Sequence, residues 1–189
     1  MDTSELEWHD GEKKELLKTP VYTVFSKHST APDFQKEGDF IVSEAPDWVI
    51  VIPEDRDDFL MVRQWRHGEG KISTEFPGGV VDKGESAEEA AIRELREETG
   101  ARCGTLIKLG EMNPNPALFS NHFFVFLAKN LVFTGIQELD KDEFVHYMRI
   151  PKKEVIQNMG KGEYLHGLMA SALALFMINL SNEKENEKK

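Results

Sequence analysis

The apolar positions of this chain fall into short runs separated by polar breaks, and most of the runs have the length of a strand. Residues 19–29 (TPVYTVFSKHS) and 38–43 (GDFIVS) are rich in β-branched and aromatic residues and predict β segments. Residues 48–53 (WVIVIP) and 59–65 (FLMVRQW) follow, split by the acidic turn EDRDD. Further strands are predicted over 106–112, 122–128 (HFFVFLA) and 144–150. The pattern then turns helical over 152–159 and 164–180. Its most apolar part, 168–180, is thirteen residues long, too short to cross a bilayer of about 30 Å, and predicts a buried C-terminal helix. Residues 182–189 alternate charges without an apolar anchor and predict a solvated tail.

One more helix is predicted between the strands, and its polar face is unusual. In residues 79–101 (GVVDKGESAEEAAIRELREETGA), Ser86 followed three positions later by Glu89 is a capping box, and Gly100 supplies a left-handed stop. Glu94, Glu97 and Glu98 then stand at i, i+3 and i+4, on one face. Like charges at that spacing destabilise an isolated helix by roughly 0.2–0.5 kcal/mol per pair. Two readings compete: a solvated acidic face, or a site for a hard divalent cation such as Mg²⁺ or Mn²⁺, which prefers carboxylate oxygens together with a substrate's phosphate oxygens. Glu85 and Arg93 read as a scaffold pair, the arginine fork bracing the loop against the helix.

The spacing of Gly79, Glu85, Arg93, Glu94, Leu95, Glu97, Glu98 and Gly100 fits the pattern G-x5-E-x7-R-E-U-x-E-E-x-G-U, where U is bulky and apolar. The chain therefore resembles the Nudix hydrolases, departing only at the last position, where Ala101 is small. That resemblance favours the metal reading, with Glu94, Glu97 and Glu98 as metal-facing carboxylates and the Gly78 carbonyl as a further ligand. It implies an α/β fold, a Nudix-type α/β/α sandwich around a mixed sheet, spanning residues 47–181. Residues 1–46 would form an N-terminal β subdomain that pairs with a second subunit, making a homodimer, and 182–189 the charged tail.

Upstream, Gln64-Trp65-Arg66 and Glu75-Phe76-Pro77-Gly78-Gly79 are similar to the Q-[YW]-R and E-[LF]-P-[AG]-G signatures of the ADP-ribose and nucleotide-sugar pyrophosphatase branch, and Pro116 falls where that branch carries a proline. Arg66, Trp65 and Glu75 become candidate substrate-binding residues on that basis. Without it, Arg66 is equally a surface ion-pair partner and Trp65 a core residue. Phe119, in a loop held out of regular structure by Pro114 and Pro116, is a candidate for the base or sugar pocket. Relatives carry an S-P-G stretch near this loop where this chain has N-P-A, which keeps nucleoside diphosphate hexoses open beside ADP-ribose. In the branch, a glutamate in a late loop acts as general base or extra metal ligand. Glu143 is the candidate here, with Asp140 and Asp142 as neighbours and Glu97 as the fallback on the helix.

Length and charge narrow the class of partner. A chain of 189 residues with 40% apolar content supports one domain with a small appended element. The net charge of −11 argues against general nucleic-acid or anionic-membrane binding and leaves a small nucleotide substrate open, because a bound cation inverts the local sign. A single cysteine, Cys103, forbids an intramolecular disulfide, and the charged N-terminus has no signal-peptide core, so a cytoplasmic location is expected. Two rival functions remain. An isomerase of the isopentenyl-diphosphate type needs an active-site cysteine on a different strand, whereas Cys103 directly follows the motif. A non-catalytic Nudix regulator that binds nucleotide is disfavoured by the retained carboxylates. A dinucleoside polyphosphate or nucleoside triphosphate is the alternative substrate.

Overall fold

The computed structural model describes residues 3–141 and 143–186. The two apolar runs become β4 (Trp48–Asp55) and β8 (Phe123–Phe133), which pair with each other in parallel, Trp48 opposite Phe123 through Pro53 opposite Ala128. Side chains alternate across a strand, so an apolar run of this kind buries both faces. Ile50 and Ile52 of β4, with Phe123, Val125 and Leu127 of β8, join one core; Val49 and Val51, with Phe126 and Ala128, join another. The first core is closed by Met169, Ala172, Leu173 and Phe176 of α3 (Gly167–Asn186), the second by Ala90, Ala91 and Leu95 of α1 (Ala87–Thr99). Each fully buried side chain of that size contributes about 1.5–3 kcal/mol relative to exposure. The result is an α/β/α sandwich.

The sheet between the helices is mixed, in the order β6-β5-β4-β8-β7, with β9 (His146–Pro151) on β5 (Asp58–Arg66). Only β4 and β8 run parallel; β5 pairs antiparallel with β4, β6 (Lys71–Glu75) and β9, and β7 (Ala101–Met112) with β8. A short helix, α2 (Lys152–Asn158), follows β9. The expected strands are present, with β7 starting at Ala101 rather than 106 because the chain turns straight from the Gly100 cap into the sheet. β6 was not expected.

By its internal packing the chain divides into two units, 47–112 with 123–189, and 1–46 with 113–122. The second unit is a three-stranded antiparallel sheet of β1 (His9–Lys18), β2 (Thr23–Thr30) and β3 (Glu37–Glu44). β1 lies in the part of the expected β subdomain for which no strand was predicted; every residue in it is exposed, and it is held by its ladder to β2. Residues 113–122 differ from the expected boundaries, since they join this unit through Ser43, whose N–H donates to the Leu118 carbonyl (2.7 Å) and whose carbonyl accepts from Ser120 (3.2 Å). The expected tail differs as well. α3 continues to Asn186, with Glu183 bonded to Lys129 (3.3 Å) and Asn179 (3.2 Å), so residues 182–186 are helical and only 187–189 lie outside the described residues.

Candidate active site

Helix α1 starts and stops where its sequence dictates. Ser86 accepts the Glu89 N–H while the Glu89 carboxylate accepts the Ser86 N–H, and Gly100 sits at φ 65° with its N–H on the Arg96 carbonyl. With its ends fixed, the helix delivers Glu94 and Glu98 into an open cleft of about 290 Å³. Gln64 and Arg66 of β5, Trp48 of β4, the loop residues Gly78, Gly79, Val80 and Asp82, then Arg93, Asp140 and Glu143 complete the lining.

Glu94 is 8% and Glu98 2% exposed. Burial pushes the Glu94 carboxyl up to about 7, against the pull of Arg93, with Glu97 and Glu143 adding repulsion. Burial likewise pushes Glu98 up to about 8; its bond from the Gly78 N–H (2.9 Å) opposes this, while Glu94 and Glu143 add to it. Arg93 offsets the burial of Glu94 only in part, and Glu98 has no ion-pair partner in contact among the described residues, so the two carboxyls together are short of positive charge. The backbone leaves room beside them, because a Cβ on Gly79 would stand 2.4 Å from Glu94 Oε1. The residues present therefore fit a hard divalent cation held by carboxylate and backbone oxygens and completed by substrate phosphate oxygens.

Arg93 does more than brace a loop. Its Nε and Nη2 take both oxygens of Glu85 (3.0 and 2.9 Å), Nη2 also reaches the Val80 carbonyl (2.9 Å), and Nη1 donates to Glu94 (2.7 Å) and Glu97 (3.1 Å). Glu97 is thereby turned to Arg93 and Arg96 and does not line the cleft. Among the described residues, no three acidic, histidine or cysteine side chains are arranged to close around one ion.

Across the cleft lining, Arg66 gives Nε (2.8 Å) and Nη2 to the two oxygens of Glu75, which is 0% exposed. Burial alone would raise the Glu75 carboxyl, but the guanidinium overrides it and holds it below the usual range. Trp65, one residue away and so on the opposite face of β5, is half-exposed and absent from the lining. Phe119 lies in the other unit, bridged to Ser43. Cys103, on β7, is outside the lining.

Glu143 is at the cleft, where its charge is felt by Glu94, Glu98 and Arg66, and its carboxylate accepts the Asp140 N–H (3.2 Å). Asp142 lies outside the described residues. Trp48, Gln64 and Asp82 were missed as lining residues. Strand alternation supplied a signal for Gln64, since it stands two positions before Arg66 and so on the same face of β5.

The NUDIX domain matches residues 45–167 of this chain. Over 162 residues the chain is 28% identical to the ADP-ribose pyrophosphatase of Bacillus subtilis (strain 168), covering 85% of this chain and 88% of that one. Over 127 residues it is 28% identical to the ADP compounds hydrolase NudE of Escherichia coli (strain K12), covering 67% and 68%. The crystal structure of an ADP compounds hydrolase has the same fold, with a TM-score of 0.82 at 22% identity over 94% of this chain and 97% of that one. Hydrolases of this family generally use divalent metals. Among the described residues, no helix is long and apolar enough to cross a membrane. With the larger part of its length inside the domain, the chain belongs to the NUDIX domain family and is a Nudix hydrolase.

Proposed function

We propose that this enzyme hydrolyses the diphosphate linkage of a nucleoside diphosphate sugar, ADP-ribose or a nucleoside diphosphate hexose, to a nucleoside monophosphate and a sugar phosphate. The observation that carries this reading is a single cleft lined by the Arg66 guanidinium and by the buried carboxylates of Glu94 and Glu98. The ADP-ribose pyrophosphatase and ADP compounds hydrolase among its relatives favour the same substrate class.

Glu94 and Glu98, with the Gly78 carbonyl and with Glu97 once it leaves Arg93, are the residues assigned to hold Mg²⁺, for which Mn²⁺ substitutes. Such a cation neutralises phosphate oxygens and makes water more acidic. Arg66 binds a second phosphate, and Glu75 behind it fixes the plane of the fork so that no reorientation is needed on binding. Glu85 and Arg93 keep the Val80 loop against α1. In the reaction, the oxygen of water bonds to one phosphorus and the bridging P–O bond breaks. Glu143 accepts the proton, and the bridging oxygen departs on the other phosphate.

In and beside the N-terminal sheet, Trp8, Leu16, Leu17, Val21, Phe40 and Ile41 are exposed in the single chain, which supports the homodimer as the state that covers them. The lone cysteine supports a cytoplasmic location. Product analysis with Mg²⁺ over ADP-ribose, nucleoside diphosphate hexoses, dinucleoside polyphosphates and nucleoside triphosphates tests the function. A nucleoside monophosphate and a sugar phosphate are expected in equal amounts. Turnover confined to triphosphates or to dinucleoside polyphosphates would reject the substrate class. Sedimentation equilibrium tests the dimer, which a monomer at micromolar concentration would overturn.

A further inference from the structure

The last turn of α1 leaves carbonyl oxygens that no helical N–H can reach. In this protein the loop between β8 and β9 satisfies them. The Glu138 N–H donates to the Glu97 carbonyl (3.0 Å), and Thr134 gives both its N–H (2.7 Å) and its hydroxyl (2.8 Å) to the Gly100 carbonyl. The Glu98 carbonyl takes the side-chain amide of Gln137 (2.5 Å), whose Nε2 also donates to the Val145 carbonyl (3.3 Å). A primary amide nitrogen has two N–H donors, and both acceptors here are carbonyls, so the network fixes which end of the amide is the nitrogen. Gln137 therefore touches the catalytic helix at Glu98 and the far end of the loop at Val145, which is 4% exposed. Between those anchors the chain carries Asp140 and Glu143 into the cleft.

We infer that Gln137 is a positioning residue, a tether that closes the base of this loop on α1 and thereby sets where Glu143 stands relative to Glu94 and Glu98. The inference rests on the assignment of Glu143 as the proton acceptor. Without the tether, the Val145 end of the loop loses its link to α1, and Glu143 samples positions from which it cannot reach the attacking water. Displacing a reacting group by about 1 Å lowers a rate by up to roughly 10²-fold.

The test uses Gln137→Met, which keeps length and shape but removes both hydrogen bonds, and Gln137→Asn, too short to span both carbonyls, should the first fail to fold. Backbone amide exchange over residues 139–145 of the metal-free protein is expected to quicken at least tenfold, with α1 unchanged. With substrate, kcat is expected to fall by roughly ten- to a hundredfold and KM to stay within a few-fold. In a Glu143→Gln background the same substitution is expected to have no further effect. Unchanged exchange overturns the tether, as does an equal loss of kcat in both backgrounds. Full activity of Glu143→Gln alone would instead reject the base assignment and leave the exchange measurement to decide the tether.

Discussion

At the residue scale, the cleft is a balance between buried charge and the partner that answers it. Glu94 and Glu98 keep their protons in the folded, metal-free enzyme up to about 7 and about 8, whereas the unfolded chain releases them near the ordinary value of 4.5. Within that window the native state binds more protons, so the two groups lower stability as pH rises. Asp10, Glu75, Glu85 and Glu89 shift the opposite way and act below it, while His166, lowered from 6.5 by burial, opposes the decline as a single group against two. The melting temperature in chelator is therefore expected to decline between about pH 5 and 8, and Mg²⁺ to stabilise more at the upper end because binding expels the protons. A metal-free melting temperature that climbs across that range would sink the assignment. Glu98→Gln is expected to flatten the decline and to lower kcat on the order of 10²-fold or more, since an amide is a poor ligand for a hard cation. Arg66 is the opposite case. An exposed ion pair contributes about 0–1 kcal/mol, but removing the partner of a fully buried carboxylate costs about 3–5 kcal/mol. Arg66→Ala is expected to cost the larger amount in urea denaturation, and a loss under 1 kcal/mol would mean that Glu75 finds water. The helical spacing made the shared face of Glu94, Glu97 and Glu98 legible in the sequence, and it also places Arg93 four residues before Glu97; that this pairing keeps Glu97 out of the cleft lining was not legible, because it depends on how one long side chain is oriented.

At the scale of elements, α1 was legible from end to end because capping box, apolar stripe and glycine stop all agree. Gly100 serves a second purpose that no local pattern reveals. Besides its φ of 65°, a Cβ there would lie 2.8 Å from the Ile136 carbonyl oxygen, within the loop that leads to Glu143. Ser86→Ala is expected to cost about 0.5–2 kcal/mol of stability and leave kcat unchanged. Gly100→Ala is expected to cost about 1–3 kcal/mol from backbone strain and, by pushing the 134–138 segment off the helix end, to lower kcat as well. Equal kcat in the two folded variants would separate the loop from the helix terminus. Strands β1 and β6 escaped the sequence reading because a strand that packs few apolar side chains has no pattern to show.

For the whole molecule, the central layer was legible because β4 and β8 are apolar on both faces, and only a sheet covered twice has use for such strands. By its packing, the smaller unit takes in a segment that the expected boundary at residue 46 leaves out. Sequence order hides that residues 113–122, far along the chain, fold with the first 46, since proximity there is made by a few hydrogen bonds, two at Ser43 and one at Asn121, whose amide donates to the Pro46 carbonyl (2.8 Å). This matters to anyone who cuts the gene. A clone beginning at residue 47 does not yield a trimmed enzyme. It yields one whose 113–122 stretch has lost the strand it was folded against, with the Leu118 carbonyl deprived of its donor and the Asn121 amide of its acceptor. Such a clone is expected to be cleaved within 113–122 by a dilute protease while the 189-residue chain resists there. Supplying residues 1–46 as a separate peptide is expected to restore resistance, because the unit is one structure written in two places.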